Sequence, residues 1–320
     1  MSQVQDDFFR LNAYMNSEII GQEDLIERML IALLSDGHLL VEGAPGLAKT
    51  KAVKVLAGAI ECDSHRIQFT PDLLPADITG SDIFHADTGR FSFQKGPVFH
   101  NLILADEINR APAKVQSALL EAMGERQITV GATTYLLPDL FMVMATQNPI
   151  EHEGTYPLPE AQLDRFLMYV KIDYPSIEAE RQILQIVRDE KANFEKQQFG
   201  KISQKSVLAA RREVGEVYLS KELEEYIVQF IVATRNPAPY DKVLAGYVEY
   251  GASPRGTIAL DICAKACAWL RGSEFVTPEH IHAVLHDVLR HRIILTYEAE
   301  ARGLTPDTFL DMLVKKVPLP

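Results

Sequence analysis

The sequence predicts an α/β chain: a parallel sheet sandwiched by helices, followed by a small all-helical domain. Short apolar runs at residues 38–42, 66–70, 102–105, 140–145 and 167–172 alternate with helical patterning. Strands of that kind are buried on both faces by the helices that connect them. From about residue 175 the pattern turns helical, with no strand signal of comparable strength. The third observation is the Gly-rich turn Gly43-Ala44-Pro45-Gly46-Leu47-Ala48-Lys49-Thr50, set between the first strand and a helix. The expected division is an α/β domain at 1–174 and a helical lid at 175–320, with the boundary near Tyr174-Pro175-Ser176.

Residues 20–34 are apolar at helical spacing, and 38–42 follow as the first strand. The 43–50 turn points backbone N–H groups inward and opens a helix at Lys49, which makes a concave anion site. Lys49 supplies a point charge for β- and γ-phosphates, and the Thr50 hydroxyl suits Mg²⁺. The usual pattern is G-x-x-x-x-G-K-[ST], and here Ala48 replaces the second glycine. Alanine opening a helix is expected to keep φ negative at little steric cost. The plain alternative is a Gly/Pro-rich turn before a helix. Residues 51–60 continue that helix. Residues 80–95 alternate in polarity around Asp87-Thr88-Gly89, and 127–136 do so around Gly131, so each reads as a hairpin.

The run 102–105 leads directly into Asp106 and Glu107. Adjacent like charges at a strand end need a compensating cation or a polar site. Mg²⁺ held through Asp106, with Glu107 polarising a water, supplies that compensation and a reaction. After the next strand, Asn148 stands where an amide reaches a γ-phosphate, although Asn-Pro is equally an ordinary turn opener. Arg165 precedes the last strand, and Arg255 falls in the first turn of a helix. A cation there opposes the helix macrodipole, which an anionic ligand explains; surface arginines are also common. In the helical part, Ser220, Ser253 before Pro254, and Thr277 before Pro278 read as N-caps, the last opening a helix to about Arg292.

The chain has 320 residues, 47% of them hydrophobic, enough for a sizeable core. No apolar run approaches the roughly 18–20 residues that cross a membrane. The opening residues lack a basic stretch followed by an apolar one, so no secretion signal is expected. Three cysteines in a chain this long argue for a reducing compartment, and a cytoplasmic chain is expected. Cys263 and Cys267, i,i+4 on a helix, read as core residues; His282 and His286 read as surface residues on theirs. A net charge of −12 opposes binding to nucleic acid.

The ordered set GAPGLAKT, LILADEINRAP, ATQNP, LPEAQLDRF and GASPRG resembles the MoxR family of AAA+ ATPases over nearly the whole chain. The resemblance implies an α/β/α nucleotide-binding domain with a small helical lid, usually assembled as a hexameric ring. It makes Gly43–Thr50 similar to Walker A, Asp106 and Glu107 to Walker B, and Asn148 to sensor 1. Arg165 is similar to an arginine finger offered to the neighbouring subunit, Arg255 to sensor 2, and Gly21-Gln22 to a segment near adenine. The hairpins resemble the helix-2 and pre-sensor-1 insertions shared with magnesium-chelatase ATPase subunits and MCM helicases. The second hairpin holds no Lys or Arg, which counts against a DNA-gripping role. By resemblance the chain hydrolyses ATP with Mg²⁺ to remodel or mature a client protein complex, alongside a partner carrying a von Willebrand factor A domain. A metal-chelatase motor is one alternative. A nucleotide-gated scaffold with little turnover is another, disfavoured by the intact Glu107 and Arg165.

Overall fold

The computed structural model describes residues 2–149, 154–191 and 199–319. Strands β1 (Leu39–Glu42) and β2 (Ser64–Gln68) are followed by a hairpin of β3 (Gly80–His85) and β4 (Arg90–Lys95). Next come β5 (Leu102–Asp106), a hairpin of β6 (Gln127–Val130) and β7 (Thr133–Leu136), then β8 (Met142–Gln147) and β9 (Met168–Lys171). Five of these form one parallel sheet in the order β2-β5-β8-β1-β9. They are the five apolar runs of the sequence, with ends shifted by a few residues.

Side chains alternate across this sheet with the two-residue period of a strand. Leu39, Val41, Leu102, Leu104, Met142 and Met144 enter one core, with the helices Glu23–Leu34 and Lys49–Ala59. Leu40, Ile103, Ala105, Val143 and Ala145 enter the other, beneath Ala113–Glu125 through Val115, Leu119 and Met123. Two buried faces explain why β1, β5 and β8 read as unbroken apolar runs, whereas β2, at the sheet edge, is exposed except at Ile67. An N-terminal helix, Gln3–Glu18, which the sequence reading left unassigned, is capped by Ser2 and adds Phe8, Leu11 and Met15 to the first core.

The C-terminal part is mostly helical, and its caps fall where the sequence puts them. Ser220 accepts from the Leu223 amide (3.3 Å) to open Lys221–Arg235, and Ser253 accepts from Arg255 (3.2 Å) to open Pro254–Leu270. Thr277 pairs with His280 at the start of Pro278–Leu289. One departure is a short antiparallel ribbon of β10 (Val248–Tyr250) and β11 (Ile294–Leu295), too brief to leave an alternating signature. Cys263 and Cys267 are buried, and desolvation pushes the Cys267 thiol up to about 11. His282 pairs with Tyr226 (2.8 Å) and His286 with Asp311 (3.0 Å). Among the described residues no cluster of three metal-ligating side chains occurs, and no helix is long and apolar enough to cross a membrane.

Both hairpins turn on a left-handed glycine, Gly89 (φ 65°) and Gly131 (φ 60°). Phe93 of β4 stacks on Tyr135 of β7, ring centroids 4.1 Å apart, so the two hairpins lean on each other.

Candidate functional site

The 43–50 loop leaves β1 at the carboxyl edge of the sheet and enters the helix Lys49–Ala59. A side chain at Gly43 would stand 2.4 Å from the Ile172 side chain, so only glycine lets β1 and the chain after β9 approach this closely. Gly46 has φ 87° with open space around it, a backbone that glycine alone adopts without strain. Ala48 corrects the sequence expectation: its φ is +56°, left-handed rather than negative. An L-residue there carries about 1–2 kcal/mol of strain. The Lys49 ammonium donates to the Gly43 carbonyl (2.7 Å), folding its stem across the loop. Burial lowers its pKa, while the charges of Asp106 and Glu107 pull it back up.

Asp106 ends β5, and Glu107 follows in a left-handed conformation (φ 57°). Both are held from β8 by Thr146, fully buried. The Thr146 hydroxyl donates to Asp106 Oδ1 (2.6 Å) and accepts from the Glu107 amide (2.9 Å). From the other side, β2 contributes Arg66 and Gln68. Arg66 pairs with Asp106 Oδ2 (2.5 Å) and also donates to Gln68 Oε1 (2.7 Å), while Gln68 donates to Glu107 Oε2 (2.9 Å). Arg110 stands 3.3 Å from the same Glu107 oxygen. The like charges of Asp106 and Glu107 are thus compensated by fixed cations and dipoles.

Arg66, Gln68, Asp106 and Glu107 line one cavity of about 350 Å³ with Pro45–Lys51, including Lys49 and Thr50, and with Asn148, which is 7% exposed. Its walls fit a polyanion and a hard cation. The loop amides and Lys49 face the Asp106 carboxylate and the Thr50 hydroxyl, oxygen donors of the kind Mg²⁺ takes. Gly43 and Ala44 form the buried root of the loop rather than the cavity wall. Gly21 (φ 75°) and Gln22 lie at the same sheet edge but outside the cavity, with the Gln22 amide donating to the Asp173 carbonyl (3.1 Å).

Arg165 and Arg255 are brought together, but elsewhere. They line a second cavity with Gly37, His38 and Leu167, the residues just before β1 and β9. That is the amino edge of the sheet, so the length of a strand, roughly 13 Å, separates them from the 43–50 loop. Arg165 donates to the Leu120 carbonyl (2.5 Å), and Arg255 is 60% exposed.

Thr146, Arg66 and Gln68 were missed by the sequence reading. A hydroxyl closing an otherwise apolar strand was a usable signal for Thr146. Arg66 and Gln68 acquire meaning only from the β2–β5 pairing, in which Gln68 stands opposite Asp106.

Residues 38–168 match the ATPase family associated with various cellular activities (AAA), and residues 242–312 match the AAA lid domain. Chaperone MoxR1 of Mycobacterium tuberculosis is 45% identical over 303 residues, covering 94% of this chain and 79% of that protein. Protein MoxR of Paracoccus denitrificans is 34% identical, covering 96% and 95%. A crystal structure of a protein from Cytophaga hutchinsonii superimposes with a TM-score of 0.92 at 46% identity, covering 99% of this chain and 96% of that one. The magnesium-chelatase 38 kDa subunit of Acidiphilium rubrum is more distant, at 25% identity over 327 residues. On the sheet, the lid and these relatives together, the chain belongs to the MoxR family of AAA+ ATPases.

Proposed function

We propose that the chain hydrolyses ATP at the 43–50 cavity and uses the turnover to remodel protein complexes, acting in a ring of its own copies. The observation that carries the reading is the convergence of Lys49, Thr50, Asp106, Glu107 and Asn148 on one cavity from the carboxyl ends of three adjacent strands. The loop amides and Lys49 hold the phosphates, while Thr50 and Asp106 present oxygen ligands. Bound Mg²⁺ supplies neutralisation of the phosphate charge. Glu107, steadied by Gln68 and Arg110, accepts a proton from the attacking water, and Asn148 orients that water. The reaction asks for positioning and electrostatics more than covalent chemistry. Arg165 and Arg255, at the far sheet edge, act on the nucleotide of a neighbouring copy.

The name of the tuberculosis relative supports the chaperone-like role. The family resemblance supports a hexamer, a partner with a von Willebrand factor A domain and a client complex. The chelatase-motor alternative has only the distant relative in its favour.

The reading is tested by Mg²⁺-dependent ATP turnover per subunit across protein concentration. Specific activity is expected to rise as copies assemble, and Glu107→Gln is expected to abolish turnover while fluorescent-ATP binding stays within about threefold of wild type. Persistent turnover in that variant removes Glu107 as the base. A flat, near-zero rate at every concentration favours the nucleotide-gated scaffold.

A further inference from the structure

We propose that Asp164 is a positioning residue that holds Arg165 and Arg255 as a single anion-binding unit, so that core and lid present both to a neighbouring copy together. This rests on the reading that the two arginines act on a neighbour's nucleotide. Asp164 directly precedes Arg165, and its carboxylate is held by the lid. Oδ1 accepts from Arg292 Nε (2.8 Å), and Oδ2 accepts from the Ser253 hydroxyl (2.9 Å). Ser253 is also the N-cap that fixes the Arg255 amide, so Asp164 reaches Arg255 through one intermediate side chain. The Arg255 guanidinium itself stands 3.9 Å from Oδ2.

Arg292 explains why this joint is stiff. Its side chain is 3% exposed, and besides Asp164 Oδ1 it donates to the carbonyls of Phe166 (2.7 Å), Leu167 (3.2 Å) and Val288. One buried guanidinium therefore straps residues 164–167 to the lid, and Asp164 is its carboxylate partner. A buried arginine with a single counter-ion holds that counter-ion firmly, because losing it leaves the charge uncompensated. A carboxylate fixed from two directions sets the backbone from which Arg165 departs. The contact with Arg255 is of a different kind. At 3.9 Å and largely exposed, it is a weak surface pair that salt screens. An arriving polyphosphate outcompetes it, so Asp164 parks Arg255 without trapping it.

A mere fastening of lid to core would make the same contacts, and mixed assemblies separate the two roles. Asp164→Asn keeps the shape and removes the charge. Doped into wild-type protein, it is expected to depress turnover at neighbouring sites by between about tenfold and a hundredfold per affected site, the scale of a misplaced catalytic group. Its own affinity for fluorescent ADP is expected to stay at the wild-type value, because the 43–50 cavity lies at the opposite sheet edge. In an Arg255→Ala background the same change is expected to cost less than it does alone. A loss additive with Arg255→Ala, or one confined to the variant's own nucleotide affinity, overturns the positioning role. Arg165→Ala is the reference. If it fails to poison its neighbours, the trans reading beneath the inference falls; if it poisons them and Asp164→Asn does not, only the inference falls. Should Asp164→Asn misfold, Ser253→Ala removes one arm alone and is expected to give a smaller loss with the same dominance over neighbours.

Discussion

Two residues at the site occupy the left-handed backbone region without being glycine: Ala48 and Glu107. Strain of this kind persists where surrounding structure over-determines it, and here it flanks the phosphate loop and the acidic pair. The Ala48 strain of about 1–2 kcal/mol exceeds the roughly 0.4–1 kcal/mol that glycine loses through a freer unfolded chain. Ala48→Gly is therefore expected to leave thermal stability unchanged or slightly raised, and Ala48→Val to lower it clearly, both read as nucleotide-free melting midpoints. The sequence reading went wrong here because a helix-opening alanine looks ordinary until the turn that feeds it is known.

His38 gives a second prediction at this scale. It is buried, its Nδ1 accepting from the Val143 amide (3.1 Å), and desolvation helped by Arg126 holds its pKa down to about 3. The folded chain keeps this ring neutral while the unfolded chain takes up a proton below about pH 6.5. Stability is thus present above pH 6.5 and is lost as pH falls toward 3, at up to about 1.4 kcal/mol per pH unit. His291, buried and also depressed, adds to the same limb. His38→Gln is expected to flatten the slope by about that amount in urea unfolding between pH 6.5 and 4.5; an unchanged slope assigns the acid limb to other groups.

The elements were legible wherever one physical cause acted alone. Apolar runs gave the five strands, although β2, at the sheet edge, is exposed except at Ile67, and hydroxyl-then-proline pairs gave helix starts at Ser253 and Thr277. Alternating polarity around Gly89 and Gly131 gave the hairpins. The β10–β11 ribbon was not legible, since pairs of two and three residues have no room for a period. What joins the hairpins was equally hidden: the Phe93–Tyr135 stack needs two segments that lie some forty residues apart in sequence. Such a stack contributes about 0.5–1.5 kcal/mol beyond its buried area. Phe93→Ala is expected to free the 80–95 hairpin, seen as faster cleavage near Asp87–Gly89 by limited proteolysis. Cleavage at the wild-type rate shows that other contacts hold it.

For the whole molecule, the seam between sheet and lid is ionic as well as apolar. Asp287 accepts from Arg28 Nε (2.6 Å) and Arg290 (2.6 Å), and Arg290 and Lys171 share Asp307 (2.8 and 3.0 Å). Asp287→Ala leaves Arg28 with Glu27 and Arg290 with Asp307 as counter-ions, and the lost charge-assisted hydrogen bonds are expected to cost about 1.5–3 kcal/mol in chemical unfolding. A loss below about 1 kcal/mol shows that water reaches the seam. Only the i,i+3 pair Asp287–Arg290 leaves a local pattern; partners 259 positions apart, like Arg28 and Asp287, leave none. The motifs named Lys49, Asp106 and Arg165, whereas their distribution over two edges of one sheet required the strand directions. That distribution has a further consequence. Because all five strands run the same way, a solitary copy holds Lys49, Thr50, Asp106 and Glu107 at one pole and Arg165 and Arg255 at the other. If the proposed hydrolysis with arginines acting in trans holds, a subunit made in excess stores nucleotide instead of burning it, and idle fuel consumption follows the amount assembled rather than the amount made.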